Sequence, residues 1–62
     1  MLVDGATFVH AIPYRDGMKM SLDAETDGVS LDAKDAFLVI KRAGQDTLLV
    51  PYHVVRFLRV RP

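Results

Sequence analysis

The chain has 62 residues and no cysteine, so it is read as one small domain, residues 1–62, without disulfides; no Cys/His cluster suggests a structural zinc. Half of the residues are hydrophobic, yet a chain of this size hides only about 60% of its unfolded surface, and a lone core of that kind supplies rarely more than ~3–5 kcal/mol. The formal net charge is zero, but residues 1–35 carry seven acids against three bases, and residues 36–62 carry five bases against Asp46, so one face can still be positive.

Met1 to Gly5 reads as a short lead-in, too brief for a helix. Ala6 to Tyr14 alternates loosely, with Phe8, Ala11 and Ile12 apolar, and is predicted as a strand ending near Pro13. Arg15-Asp16-Gly17 is a turn, Asp-Gly being a strong hairpin signal. Met18, Met20, Leu22 and Ala24 then alternate with Lys19, Ser21, Asp23 and Glu25, the period-two pattern of a half-buried strand.

Thr26-Asp27-Gly28 turns the chain again, and Val29, Leu31 and Ala33 alternate with Ser30 and Asp32. Ala36 to Ile40 is a continuous run of apolar residues, closed by Lys41-Arg42 and the turn Ala43-Gly44-Gln45-Asp46. Thr47 to Val50 follows as its hairpin partner. Pro51 has no N–H and ends that ladder. Tyr52-His53-Val54 is short enough only for a tight turn, and Val55 to Val60 resumes as a strand. Five or six short strands with tight turns and no helix predict an all-β fold, a small, strongly bent, nearly closed barrel.

Asp23-Ala-Glu25-Thr-Asp27-Gly28 has the spacing that opens a calcium-binding loop, but Lys34 stands where the bidentate Glu belongs and the flanks are strands. A solvated turn is the favoured reading, and no metal or cofactor is expected. His10 and His53 have no nucleophile or orienting group nearby in sequence, and no Gly-rich phosphate loop is present, so no catalytic residue is assigned and the chain is not read as an enzyme. The most suggestive group is Tyr52 and His53 with Lys41, Arg42, Arg56, Arg59 and Arg61: exposed rings beside cations are how single-stranded nucleic acid is held. The alternative is ordinary, with Tyr52 covering one end of the barrel and the arginines solvated.

The last strand has apolar residues on both faces, Val55 and Phe57 on one and Val54, Leu58 and Val60 on the other. Such a strand is an aggregation hazard unless something pairs with it, and a small chain without disulfides gains stability by association. Edge-to-edge pairing of this strand with a strand of another copy is therefore expected. No run approaches the ~18 apolar residues of a membrane span, nothing resembles a signal peptide, and the expected setting is cytoplasmic.

In its order of motifs the chain resembles the Sm-like fold, in particular the bacterial Hfq group of RNA chaperones. Asp35-Ala36-Phe37-Leu38-Val39-Ile40 is similar to that family's Asp-Gln-Phe strand, Val50-Pro51-Tyr52-His53-Val54-Val55 to its Tyr-Lys-His corner, and Asp16-Gly17-Met18-Lys19-Met20 to its Asn-Gly-Ile-Lys-Leu opening. The resemblance covers roughly residues 8–62. It implies assembly into a closed ring through the last two strands, 47–51 of one copy pairing with 55–60 of the next, and single-stranded RNA as a partner, with Phe37 and His53 as base contacts. Ala36 stands where the family has Gln, Pro51-Tyr52 where it has Tyr-Lys, and residues 28–34 look like an insertion. An SH3-like barrel is the alternative, since Pro51, a single turn and a last strand would suit it, but the aromatic floor of its peptide groove is missing.

Overall fold

The computed structural model describes residues 1–15 and 17–61, so the Asp16 half of the expected Asp-Gly turn lies outside the described residues. The described residues are all-β with one short 3-10 turn. The strands are β1 (Leu2–Val3), β2 (Gly5–Tyr14), β3 (Gly17–Asp23), β4 (Val29–Ala33), β5 (Phe37–Arg42), β6 (Leu48–Pro51) and β7 (Val55–Arg59), with the 3-10 turn at Tyr52–Val54 between the last two. They form two antiparallel sheets, ordered β1-β4-β5-β6 and β3-β2-β7. No ladder joins the sheets among the described residues, so the expected closed ring of strands is not formed. The gap has a physical cause: Asp27 ties the 23–28 turn back on itself, so β3 ends at Asp23 and β4 starts afresh at Val29.

The lead-in expected at residues 1–5 is instead structural. Leu2 and Val3 pair with Asp32 and Leu31, and the chain then changes sheet at Asp4. The Asp4 N–H donates to the Arg59 carbonyl at 2.8 Å, and the Asp4 carbonyl accepts from the Ala24 N–H at 2.8 Å. One corner residue thereby links the end of β7, the turn after β3 and the start of β2. Residues 29–33, read in the resemblance as part of an insertion, are a full strand between β1 and β5.

The core lies between the sheets. Leu31, Leu38 and Ile40 come from one side and Phe8 from the other, all four fully buried. Val3, Ala6, Ile12, Tyr14, Leu22, Val29, Val50 and Val54 complete it. On β3 only Leu22, opposite Ala6, is buried; nearer the hairpin tip a register shift sets Lys19 opposite the buried Ile12 and Met18 opposite the exposed Pro13, and Met18 and Met20 are exposed. Pro51 pairs with Phe37 as the last residue of β6 rather than lying beyond the ladder; an edge strand tolerates a missing N–H.

A bulge corrects the reading of the last strand. Thr7 pairs with Phe57 and Phe8 with Val55, so β7 spends one extra residue, Arg56, at this point. An extra residue inverts the alternation beyond it. Val55 and Leu58 therefore both pack on the core, and Phe57 faces out.

Ile40 is fully buried, and an Ile→Ala change in a core costs about 2–5 kcal/mol, comparable to the whole ~3–5 kcal/mol available to a core of this size. Ile40→Ala is expected to abolish cooperative urea unfolding at 25 °C; a sharp transition near the wild-type midpoint would contradict the assignment of Ile40 to the core centre.

Candidate functional site

The eight residues singled out from the sequence do not gather at one place. Phe37 is half-buried beside Pro51 at one end of the β5–β6 ladder. Lys41 and Arg42 lie at the other end of β5, where Arg42 donates from Nη2 to the Asp46 carbonyl at 2.8 Å and braces the 43–46 turn. That turn needs its glycine, because Gly44 sits at φ 71°, a conformation other residues adopt at a cost. Tyr52 is also structural: its hydroxyl donates to the Lys34 carbonyl, pinning the 3-10 turn to the 34–36 connection. His53 is exposed on that turn, and Arg56 is exposed at the bulge.

Arg59 and Arg61 meet the acidic half of the chain. Gly5 sits opposite Arg59 on one side and opposite Asp23 on the other, so the Arg59 side chain crosses β2 over a residue with no side chain. A Cβ at position 5 would stand 2.8 Å from the guanidinium nitrogen. Through that gap Arg59 reaches the Asp23 carboxylate and also donates to the Asp4 carbonyl at 3.2 Å. Arg61 donates from Nε to the Asp4 carboxylate at 3.0 Å, and that carboxylate pushes its guanidinium pKa further up. Asp4, Asp23, Glu25, Thr26, Arg59 and Arg61 together line a shallow polar depression in which both arginine charges are met by carboxylates.

The Asp23–Asp27 segment is equally occupied. The Asp23 carboxylate accepts from the Thr26 N–H at 2.8 Å and the Glu25 N–H at 3.0 Å. The Thr26 N–H first, and then Arg59, hold its pKa below the usual carboxylate range. Asp27 accepts from the Asp23 N–H at 2.8 Å and from Lys19 Nζ at 2.6 Å; the Asp23 N–H, then Lys19, lowers its pKa too. Lys19 and Arg15 flank the Tyr14 ring at 5.3 Å each, and the Tyr14 hydroxyl donates to the Asp27 carbonyl at 2.7 Å. These carboxylates serve the turn and its neighbours, and among the described residues no group of three His, Cys, Asp or Glu is placed to hold a metal ion.

What the sequence reading missed is apolar. Leu49 is 60% exposed and Phe57 is 66% exposed. Leu49 pairs with Val39 at the outer face of β5–β6, whereas Phe57 has only Thr7 and, beyond it, Ser21 in its row. Both strands have a neighbour on one side only. An uninterrupted apolar run conceals which residues face outward; the signal available was the edge position that Pro51 marks. No protein-family model matches the chain, and no curated protein and no solved structure matches it either. No helix among the described residues is long and apolar enough to cross a membrane.

A carboxylate held below its ordinary pKa stabilises the fold above that ordinary value, and the contribution is lost as pH falls through the folded pKa. Asp23 and Asp27 belong to this class, and so does Asp32, lowered first by the Met1 amino group and then by Lys34. Thermal melts followed by circular dichroism are expected to give a level Tm from about pH 7 to pH 5 and a falling one below about pH 4. Asp27→Asn should flatten part of that fall; a Tm unchanged down to about pH 2.5 in the unmodified chain would overturn the assignment.

Proposed function

We propose that this chain is a self-assembling small β-barrel module of Sm-like character, in which the β6 edge of one copy pairs with the β7 edge of the next. The observation that carries the reading is the state of those two edges. Each has a single strand neighbour, and each presents a large apolar side chain to water, Leu49 on β6 and Phe57 on β7. Unpaired backbone donors and acceptors next to apolar side chains are a template for another chain. The bend of the N-terminal segment at Asp4, which takes it from one sheet into the other, supports the strongly curved barrel this assembly needs.

In light scattering at increasing concentration, the native mass is expected to settle at a multiple of 6.9 kDa. A single-copy mass persisting at about 1 mM, where even a weak association worth about 4 kcal/mol is half-formed, would end this reading.

Single-stranded RNA is a second reading, favoured by one observation: Lys41, His53 and Arg56 are exposed and have no acidic ion-pair partner among the described residues. Copies in a ring repeat that set of groups around the assembly. Binding through phosphates should weaken with salt at a log–log slope of about −0.7 per phosphate neutralised. Lys41→Gln and Arg56→Gln are expected to weaken binding several-fold in a filter assay, while Arg61→Gln, already paired with Asp4, changes it little. No detectable affinity near 50 mM salt, a concentration at which phosphate contacts are strong, would remove the RNA reading and leave the assembly.

A further inference from the structure

The outer face of the β3-β2-β7 sheet carries a shallow groove of about 310 Å³, at the small end of the roughly 300–1,000 Å³ that ligand pockets occupy. Its floor is the row in which Phe57 lies opposite Thr7 and Thr7 opposite Ser21, so one aromatic ring stands beside two hydroxyls that can donate or accept. Its walls are two ion pairs, Lys19 with Asp27 and Arg59 with Asp23. Phe57 is mostly exposed, a flat apolar surface set among polar groups.

We infer that Phe57 is a stacking platform for an unpaired base of single-stranded RNA, with the phosphate beside that base held by Arg56. The inference rests on the RNA reading above and adds a base contact to its phosphate contacts. The surroundings of the ring select this occupant over a second protein surface. An apolar side chain pressed onto Phe57 would also cover Thr7, Ser21 and the two ion pairs, and would take water from them without pairing them. A base brings a face for the ring and, along its edge, donors and acceptors for those same groups. Lys19 meets Asp27 through its ammonium, and Arg59 meets Asp23 and the Asp4 carbonyl through Nη2, so each cation keeps N–H groups beyond those that these contacts use. The charges lining the groove cancel in pairs, and the residue just before Phe57 is Arg56, exposed and outside the ion pairs among the described residues. Glu25, a carboxylate outside those pairs, lines the depression beside Arg59 and Arg61 and not this groove. Asp35 and Asp46 lie in the connections before β5 and β6, on the other sheet. Pairing of the β7 edge with another copy uses its backbone, whereas side chains stand roughly perpendicular to a sheet, so edge pairing and base stacking are compatible.

The test compares oligoadenylate with an abasic oligomer of the same length, which keeps the phosphates and lacks the bases, starting from about 50 mM salt where phosphate contacts are strong. Phe57→Ala is expected to bind oligoadenylate roughly tenfold more weakly, within the range that one stacked base supplies. Its salt slope should be unchanged, and it should bind the abasic oligomer as the wild type does. Arg56→Gln should make the salt slope shallower by about 0.7 and keep the preference for the base-bearing strand. Phe57 is mostly exposed, so Phe57→Ala should keep the wild-type far-UV circular dichroism; Phe57→Tyr, which keeps the ring, should bind as the wild type does and separates loss of the ring from loss of the fold. The chain has no tryptophan, so Phe57→Trp installs a single reporter, whose emission oligoadenylate should quench and the abasic oligomer should leave nearly unchanged. Wild type without affinity for either strand would overturn the RNA reading and this inference with it. Wild type that binds oligoadenylate no better than Phe57→Ala would leave the RNA reading standing and overturn the stacking. Tryptophan emission in the Phe57→Trp chain that changes with protein concentration and not with oligoadenylate would assign the ring to a second copy and overturn the stacking as well.

Discussion

The two sheets are held to one another by packed side chains, with a few backbone bonds at the Asp4 corner and between Val29 and Ala24. No ladder joins them among the described residues, and Phe8, Leu31, Leu38 and Ile40 are the largest side chains fully removed from water. Apolar burial at about 25 cal/mol per Å² is the principal favourable term in such a fold, and with so few fully buried groups every one counts. The polar devices at the periphery keep the sheets in position over that core. The Asp4 corner ties β7 to the turn after β3, the Tyr52 hydroxyl ties the 3-10 turn to the 34–36 connection, and Asp27 folds the 23–28 turn onto Lys19.

The same smallness explains the surface. A core this narrow covers one face of each sheet and leaves the tip of the longest hairpin bare, where Met18 and Met20 are wet while Leu22, farther from the tip, is dry. It leaves β6 and β7 as open edges for the same reason. A larger protein would cover such edges with a helix or a loop; here each keeps a strand neighbour on one side only.

The charge asymmetry along the chain serves the fold before it serves any partner. The acidic first half and the basic second half are brought together at Arg59–Asp23 and Arg61–Asp4. These pairs are exposed, and exposed pairs contribute little to stability; their consequence lies in what they remove from the surface potential. Among the described residues, Arg15, Lys41, Arg42 and Arg56 keep no carboxylate partner, half of the eight Lys and Arg residues. Gly5 makes one of these meetings possible by leaving space above β2 for the Arg59 side chain.

The sequence by itself determined the strands, because period-two alternation and Gly, Asp and Pro turns are local properties that each segment carries alone. It was enough to find the hairpin at 37–51, the tight turn at Tyr52–Val54 and the all-β class. It was not enough to show that Leu2–Val3 is a strand, since two residues have no period, and their pairing with Leu31 and Asp32 exists only in the folded chain. Nor could it orient Phe57, because a single bulge residue at Arg56 inverts the alternation that a sequence reader must assume. The fate of the bases was decided in the same way: Arg59 and Asp23 are far apart along the chain and adjacent only because β2 lies between their strands. Pairing across sheets is a long-range contact, and only the tertiary structure sets which charges and which apolar side chains remain for another molecule.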